Sequence, residues 1–397
     1  MVDDKLKNDV NSLLRMARYH SKLPSEILAD NQDKFCGVLA AIKKHLPVKF
    51  DIRDAIDILD DTFASRTSTS RSPFYSDYIN NIQNANVKWV AIYPTDFANN
   101  IEYKKFKRTL ALGNYSLVSP QNTSTNFKKT LKRCFNLSNV DTALLDHYNR
   151  QLGGFLLSNP QLCFLVEGSE RLACNTSIGS FKYFRSIIDL YSAHINKRLP
   201  FIIVRETNRH FFLLNSSTGD IKRVPIKGGT KFNVAFNVDF MREFKRHKLA
   251  RFLNIGLNDK NKLFDKLNNS LHFFSQAFND DDAITRYLFY IIAIESLFSR
   301  DKNTPIRSTL ADNVALLCFD KSQRMAKHRR LKEFYDLRSA IVHQGHHKIP
   351  VEILEEAEKI ASLAILKCLM IYDSLAIKER TEESFFNWIL KVKLDAA

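Results

Sequence analysis

Glycine is scarce in this chain, 11 residues of 397, against a usual share of about 7%. That scarcity argues against collagen-like repeats, glycine-rich linkers and many-turned all-β designs, and leaves helix as the expected majority. No Walker-type or Rossmann-type glycine loop is present, and Gly228-Gly229, with no following helix carrying Lys and Ser, reads as a turn. The cysteines, Cys36, Cys134, Cys163, Cys174, Cys318 and Cys368, include no pair at the spacing of a zinc knuckle or redox motif. They read as reduced, mostly buried thiols of an intracellular protein. The longest apolar run, Leu288 to Ile294, is far below the roughly 20 residues that span a bilayer. The start, Met1-Val2-Asp3-Asp4-Lys5, lacks the cationic and apolar segments of a signal peptide. The expected location is the cytoplasm, with no membrane partner. Repeats of fixed period and local signatures of nucleophilic Ser or Cys chemistry are also missing.

What is present is positive charge, +16 overall, and it is unevenly placed. Residues 1–250 carry 37 Lys and Arg against 23 Asp and Glu, whereas residues 251–397 carry 22 against 20. A field of that sign in the first part favours polyanions such as RNA, DNA or an anionic membrane surface. Solubility alone is the plainer explanation.

Three regions follow from texture. Residues 1–85 read as a helical N-terminal segment, with Val10, Leu13, Leu14 and Ala17 at helical spacing and Pro24 and Pro47 as breaks. The hydroxyl-rich basic stretch Ser65 to Pro73 reads as an exposed connecting loop. Residues 86–250 read as a basic mixed α/β domain for sensing or for positioning RNA. Strands are expected at Val87 to Tyr93, Leu162 to Val166, Phe201 to Arg205 and Phe211 to Leu214, and less strongly at Ile221 to Ile226 and Phe232 to Phe236. The 201–205 and 211–214 runs read as consecutive antiparallel strands. Residues 251–397 read as an all-α bundle of about five helices, so the fold class is α+β. There, Leu263, Leu267, Leu271, Phe274 and Phe278 mark one helix face, and Asp282 is placed to cap a second helix from Ala283 to Phe298.

One basic cluster is a candidate nucleic-acid contact. Lys104, Lys105, Lys107, Arg108, Lys128, Lys129, Lys132 and Arg133 are interleaved with Tyr103, Phe106, Tyr115 and Phe127, a composition suited to phosphate contact and base stacking. The same rings are equally suited to a core. A second basic run, Arg242, Lys245, Arg246, His247, Lys248 and Arg251, follows the last strand and reads as the first turns of a helical connector, whereas Arg329 and Arg330, in a cationic stretch from Lys321 to Lys332, are further candidate RNA contacts.

The sharpest constellation is Tyr335-Asp336-Leu337-Arg338-Ser339-Ala340-Ile341-Val342-His343-Gln344-Gly345. Leu331, Phe334, Leu337 and Ile341 follow a helix face, Gly345 is a plausible stop, and Arg338 falls beside the buried stripe. Glu295 falls on the apolar face of the 283–298 helix. One account pairs the two: each charge would satisfy the other. The other account is chemical: an imidazole moves protons at neutral pH, and a guanidinium holds a phosphate and stabilises charge developing at phosphorus. Those functions suffice for metal-free RNA cleavage in which the 2′-hydroxyl attacks the adjacent phosphate. Five helical residues place Arg338 and His343 about 140° apart, so they converge only if the helix bends or a second subunit contributes. His346 and His347 beside His343 lack an accompanying Cys or carboxylate cluster, so no metal is expected.

The stretch from about 258 to 375 resembles a HEPN domain of the Apea-like group. Ala293-Ile294-Glu295-Ser296-Leu297-Phe298 and Tyr335 to His343 carry the likeness: Arg338, Ser339 and His343 match the family's Arg, polar residue, spacer and His. Gln344 stands where a Gly is frequent in the group. The resemblance implies a metal-independent endoribonuclease, without cofactor, that dimerises so that two motifs face one cleft, as in bacterial toxin and anti-phage effectors. It assigns His343 as general acid or base, Arg338 as phosphate clamp, Ser339 as a polar auxiliary, and Glu295, Asp336 and Tyr335 as an orienting shell. RNA, a second copy of the chain and a phage-derived trigger are the implied partners. The alternative is a non-catalytic dimerisation module whose basic part binds nucleic acid or a phage component.

Overall fold

The computed structural model describes residues 4–20, 23–30, 51–65, 74–94, 109–137, 139–194, 202–203, 210–225, 231–232, 249–255, 261–299, 306–344 and 348–395. The chain is mixed α+β with helix predominating. It divides into two compact units, one of Met1–Pro94, Pro120–Ile178 and His210–Ile226, the other of Thr95–Ser119, Gly179–Arg209 and Lys227–Ala397. Among the described residues no helix is long and apolar enough to cross a membrane.

Among the described residues the first unit begins with four helices, α1 (Asp4–His20), α2 (Pro24–Asp30), α3 (Ile52–Ala64) and α4 (Phe74–Ala85). Their apolar stripes close on one cluster of Val10, Leu13, Ala17, Ile27, Leu28, Leu59, Phe74, Tyr75, Tyr78 and Ile82. The Tyr78 hydroxyl is buried with its ring and donates to the Ala55 carbonyl at 3.1 Å. Strand β1 (Val87–Pro94) follows, and its residues from Trp89 to Tyr93 are all buried. A strand apolar on both faces belongs inside a sheet. β1 does lie between β4 (Gln161–Gly168) and β6 (His210–Asn215), antiparallel to both, with Ala91 opposite Phe164 on one side and Leu213 on the other. Stacked rings reinforce the pairing: Tyr93 lies 4.6 Å from Phe211 and 5.7 Å from Phe164.

In the second unit, β2 (Leu110–Leu112) and β3 (Tyr115–Val118) form a hairpin turned at Gly113, whose φ of +64° explains a glycine there. The pairing of the 201–205 run departs from expectation. β5 (Ile202–Ile203) pairs with β8 (Lys231–Phe232), and β6 takes β1 and β7 (Ile221–Pro225) as its neighbours. The reason is burial: Phe211 to Leu214 are all buried, so β6 needs a strand on each side. Residues 201, 204–205, 226 and 233–236 of the expected strands, and 66–73 of the expected loop, lie outside the described residues, as do Cys36 and Gly228-Gly229.

Helices α5 (Ser124–Phe135), α6 (Thr142–Gln151) and the short α7 (Phe155–Ser158) precede β4, and α8 (Glu170–His194) follows it. In the second unit, Asp189 near the end of α8 is wholly buried and accepts from Ser275 Oγ at 2.6 Å and Asn279 Nδ2 at 2.8 Å. Burial pushes its carboxyl upward, against the pull of Arg185 and those hydrogen bonds. Ser275 and Asn279 belong to α9 (Lys262–Asn279), so this bond set ties α8 to the C-terminal helices.

Those are α9, α10 (Ala283–Phe298), α11 (Ile306–Cys318), α12 (Arg324–Gln344), α13 (Val351–Ser374) and α14 (Glu382–Asp395). Leu263, Leu267, Leu271, Phe274 and Phe278 of α9 are all buried, as their spacing requires. Asp282 caps α10 by accepting from the Thr285 amide at 2.8 Å, which holds its carboxyl below the ordinary range. Ser270 Oγ donates to the Ala293 carbonyl at 2.6 Å and the Tyr287 hydroxyl to the Phe334 carbonyl at 2.7 Å, fixing α9 and α12 against α10. Asn261 caps α9 by accepting from the Phe264 amide at 2.7 Å and donates to the Tyr372 hydroxyl at 3.1 Å. Asn261→Ala is therefore expected to lower stability by about 1–2 kcal/mol, read as a shift in the urea unfolding midpoint. An unchanged midpoint would remove the cap from the account.

Candidate active site on helix α12

Helix α12 runs from Arg324 to Gln344 without interruption. Leu331, Phe334 and Ile341 are buried along it, and Leu337 is half-buried. Arg338 sits beside this stripe with 24% of its side chain exposed, and Glu295 on α10 with 15%. Arg338 Nε lies 3.4 Å from Glu295 Oε1, a Coulombic contact. Neither atom forms an aligned hydrogen bond, although both are buried. Burial pushes the Glu295 carboxyl above the usual carboxylate range, and the Arg338 charge pulls it back only in part. The guanidinium also lies 5.9 Å from the Tyr335 ring centroid. Thus two of the three residues expected to orient Arg338 touch it.

The third does not. Asp336 is exposed and its carboxylate is taken by Arg307 at the start of α11, a partner that no local spacing announces. Ser339 is half-buried, and His343 is exposed near the end of the helix. Because α12 is unbroken, Arg338 and His343 leave its axis about 140° apart and do not converge within one chain. Val342, 52% exposed, lies beside the motif. Gly345, His346 and His347 lie outside the described residues, and among the described residues no group of three His, Cys, Asp or Glu could hold a metal ion.

The other basic candidates divide sharply. Arg330 is committed: it donates to Glu356 at 2.9 Å and to Glu333 at 2.8 Å, and lies 4.9 Å from the Phe334 ring centroid. Lys327 likewise reaches Glu356 at 2.9 Å, and His328 lies 3.0 Å from Asp312. Arg329 is exposed. Much of the cationic stretch thus packs α12 against the acids of α13 and α11. Arg251 is engaged too, with Asp373 at 3.3 Å and over Phe252, while Arg242, Lys245, Arg246, His247 and Lys248 lie outside the described residues.

In the first unit, Lys128, Lys129, Lys132 and Arg133 fall on α5, which Thr123 caps through the Asn126 amide and which buries Phe127 and Leu131. None of the four cations has a carboxylate partner among the described residues. The stacking part of the expectation fails for the two rings that are described. Phe127 is 1% exposed and Tyr115 is 5% exposed, with the Tyr115 hydroxyl donating to the Ser180 carbonyl at 2.9 Å. Both are core and present no face to a base. Lys104, Lys105, Lys107 and Arg108, with Tyr103 and Phe106, lie outside the described residues. No protein-family model, curated protein or solved structure matches the chain.

Proposed function

We propose that the chain is a metal-independent endoribonuclease of the HEPN type, a cytoplasmic toxin or anti-phage effector that acts as a homodimer and is released by a phage-derived trigger. The observation that supports this most is the state of Arg338. Glu295 meets its Nε, and its terminal nitrogens have no partner among the described residues, so the stem is positioned while the fork stays available to a phosphate. His343 is exposed on the same helix and would serve as general acid or base, taking a proton from the 2′-hydroxyl or giving one to the leaving 5′-oxygen. Ser339 would assist as a polar contact. Tyr335 supports the Arg338 stem, and Asp336 would act only through Arg307. The exposed cations of α5, Lys129 and Arg133, with the half-exposed Lys128 and Lys132, would hold the RNA backbone without reading its sequence.

The 140° separation favours a second reading, in which the bundle only dimerises and the basic region binds nucleic acid or a phage component. Two measurements separate them. Purified protein should cleave RNA in the presence of EDTA and leave 2′,3′-cyclic phosphate ends, and its overexpression should arrest growth through Arg338 and His343. RNA left intact, with growth unaffected, would leave the binding module as the function.

A further inference from the structure

The tyrosines of the C-terminal helices fall into two kinds. Tyr287, Tyr290 and Tyr372 are buried, and each hydroxyl is engaged: Tyr287 donates to the Phe334 carbonyl at 2.7 Å, Tyr290 donates to Glu358 Oε2 at 2.6 Å, and Tyr372 accepts from Asn261 Nδ2 at 3.1 Å. Those rings are core, with a satisfied polar tip. Tyr335, on α12, is different. Its ring is half-buried, and its hydroxyl has no hydrogen-bond partner among the described residues. Nor is that oxygen walled in, since the polar atoms buried without a partner around the motif are Glu295 Oε1 and Arg338 Nε. A hydroxyl carried on a braced ring and left unbonded is a donor available to something outside the fold.

Its place on the helix shows what that is. Tyr335 precedes Arg338 by one turn, so the two side chains leave one face of α12, about 60° apart. Ser339 and Val342 follow on the same side, and Val342 is 52% exposed, so the core does not cover this face. The guanidinium carbon of Arg338 lies over the Tyr335 ring, 5.9 Å from its centroid. A carbon at that height above a phenol ring is about 6.5 Å from the hydroxyl oxygen. A guanidinium carbon and a hydroxyl that bond the oxygens of one phosphate stand about 5.5–8 Å apart. The two donors are therefore spaced for a single phosphate group.

We propose, building on the ribonuclease reading of α12, that the Tyr335 hydroxyl is a second catalytic donor, bonding a non-bridging oxygen of the phosphate that Arg338 holds. As the 2′-oxygen bonds phosphorus and the bond to the 5′-oxygen breaks, negative charge gathers on the non-bridging oxygens. A hydroxyl fixed there in advance stabilises that charge while keeping its own proton, so proton transfer stays with His343. Tyr335 thus does more than support the Arg338 stem.

The test is single-turnover cleavage of a single-stranded oligoribonucleotide by wild type and Tyr335→Phe, with urea unfolding of both. The Phe variant keeps the ring under the guanidinium and removes the donor alone. Its cleavage rate should fall by about 10- to 100-fold while the unfolding midpoint stays in place. The loss should shrink on one of the two phosphorothioate diastereomers, because sulfur is a poorer acceptor than the oxygen it replaces. A residue that merely braces Arg338 would leave Tyr335→Phe at the wild-type rate, and that result overturns the contact while the ribonuclease reading stands. The same loss on the oxygen substrate and on both sulfur substrates would also overturn it, by placing the hydroxyl away from the phosphate. A wild type that cleaves nothing sinks the reading itself, and this contact with it.

Discussion

Arg338→Ala is expected to destabilise the second unit by about 1–3 kcal/mol near neutral pH and by distinctly less at about pH 4. The asymmetry comes from Glu295. Removing one member of a buried pair leaves the other charge without compensation, at a penalty of about 3–5 kcal/mol when burial is complete. Here the pair retains some solvent, 24% and 15% of the two side chains, and its atoms are not aligned for a hydrogen bond, so the smaller range applies. The Glu295 carboxyl already stands above its ordinary value because of burial, with Arg338 as the one lowering influence. Without Arg338 it rises further.

A carboxyl whose folded value is raised binds its proton more tightly in the folded than in the unfolded chain. Its contribution to stability is full below the unfolded value, 4.5, and is lost as pH rises through the folded one. The variant's deficit against wild type must therefore grow with pH across the carboxylate range. Urea unfolding of wild type, Arg338→Ala and Arg338→Ala/Glu295→Gln checks this at the two ends of the range. The double variant should recover much of the loss at neutral pH, because a neutral amide has no charge to strand. A deficit independent of pH, or one that Glu295→Gln leaves untouched, would show that the pair does not hold α10 to α12.

How much of this was legible in the sequence depends on whether an interaction is set by spacing or by packing. Asp282 as the cap of α10 and the buried stripe of α9 were readable, because cap chemistry and helical period are local. The Glu295 and Arg338 contact was readable for another reason: a charge on the apolar face of each of two helices demands a partner, and few were on offer. The Arg307 and Asp336 pair, and the capture of Lys327 and Arg330 by Glu356, were not. They join separate helices, and their acids and bases look like ordinary surface charge until the helices are packed. Phe127 illustrates the same limit, since a ring among lysines reads equally as a stacking platform or as the core of an amphipathic helix. Helix α8 also gave little local signal. Phe181, Tyr183, Phe184, Ile187, Ile188, Leu190 and Tyr191 are all buried, and Ser186 and Asp189 among them are buried as well, so in its second half burial does not follow polarity.

His343→Ala is expected to lower RNA cleavage by about 10²–10⁴-fold while leaving the unfolding midpoint where it is. The side chain is exposed and no partner of it is found among the described residues, so nothing structural is lost with it. Arg338→Ala should abolish cleavage and also destabilise, and that contrast separates the clamp from the acid or base. The unbroken course of α12 adds a sharper consequence. Two groups about 140° apart on one helix cannot both reach one phosphate, so under the proposed dimeric ribonuclease each cleavage centre would draw Arg338 from one subunit and His343 from the other. Mixing the two inactive variants then restores function. In a mixed dimer one centre receives both defects and the other receives neither, so an equimolar mixture after subunit exchange should recover about a quarter of the wild-type rate. Were the residues used in cis, every centre in every dimer would carry a defect and the mixture would stay inactive. Cleavage by a mixture of two dead variants is the outcome that a purely binding bundle could not produce.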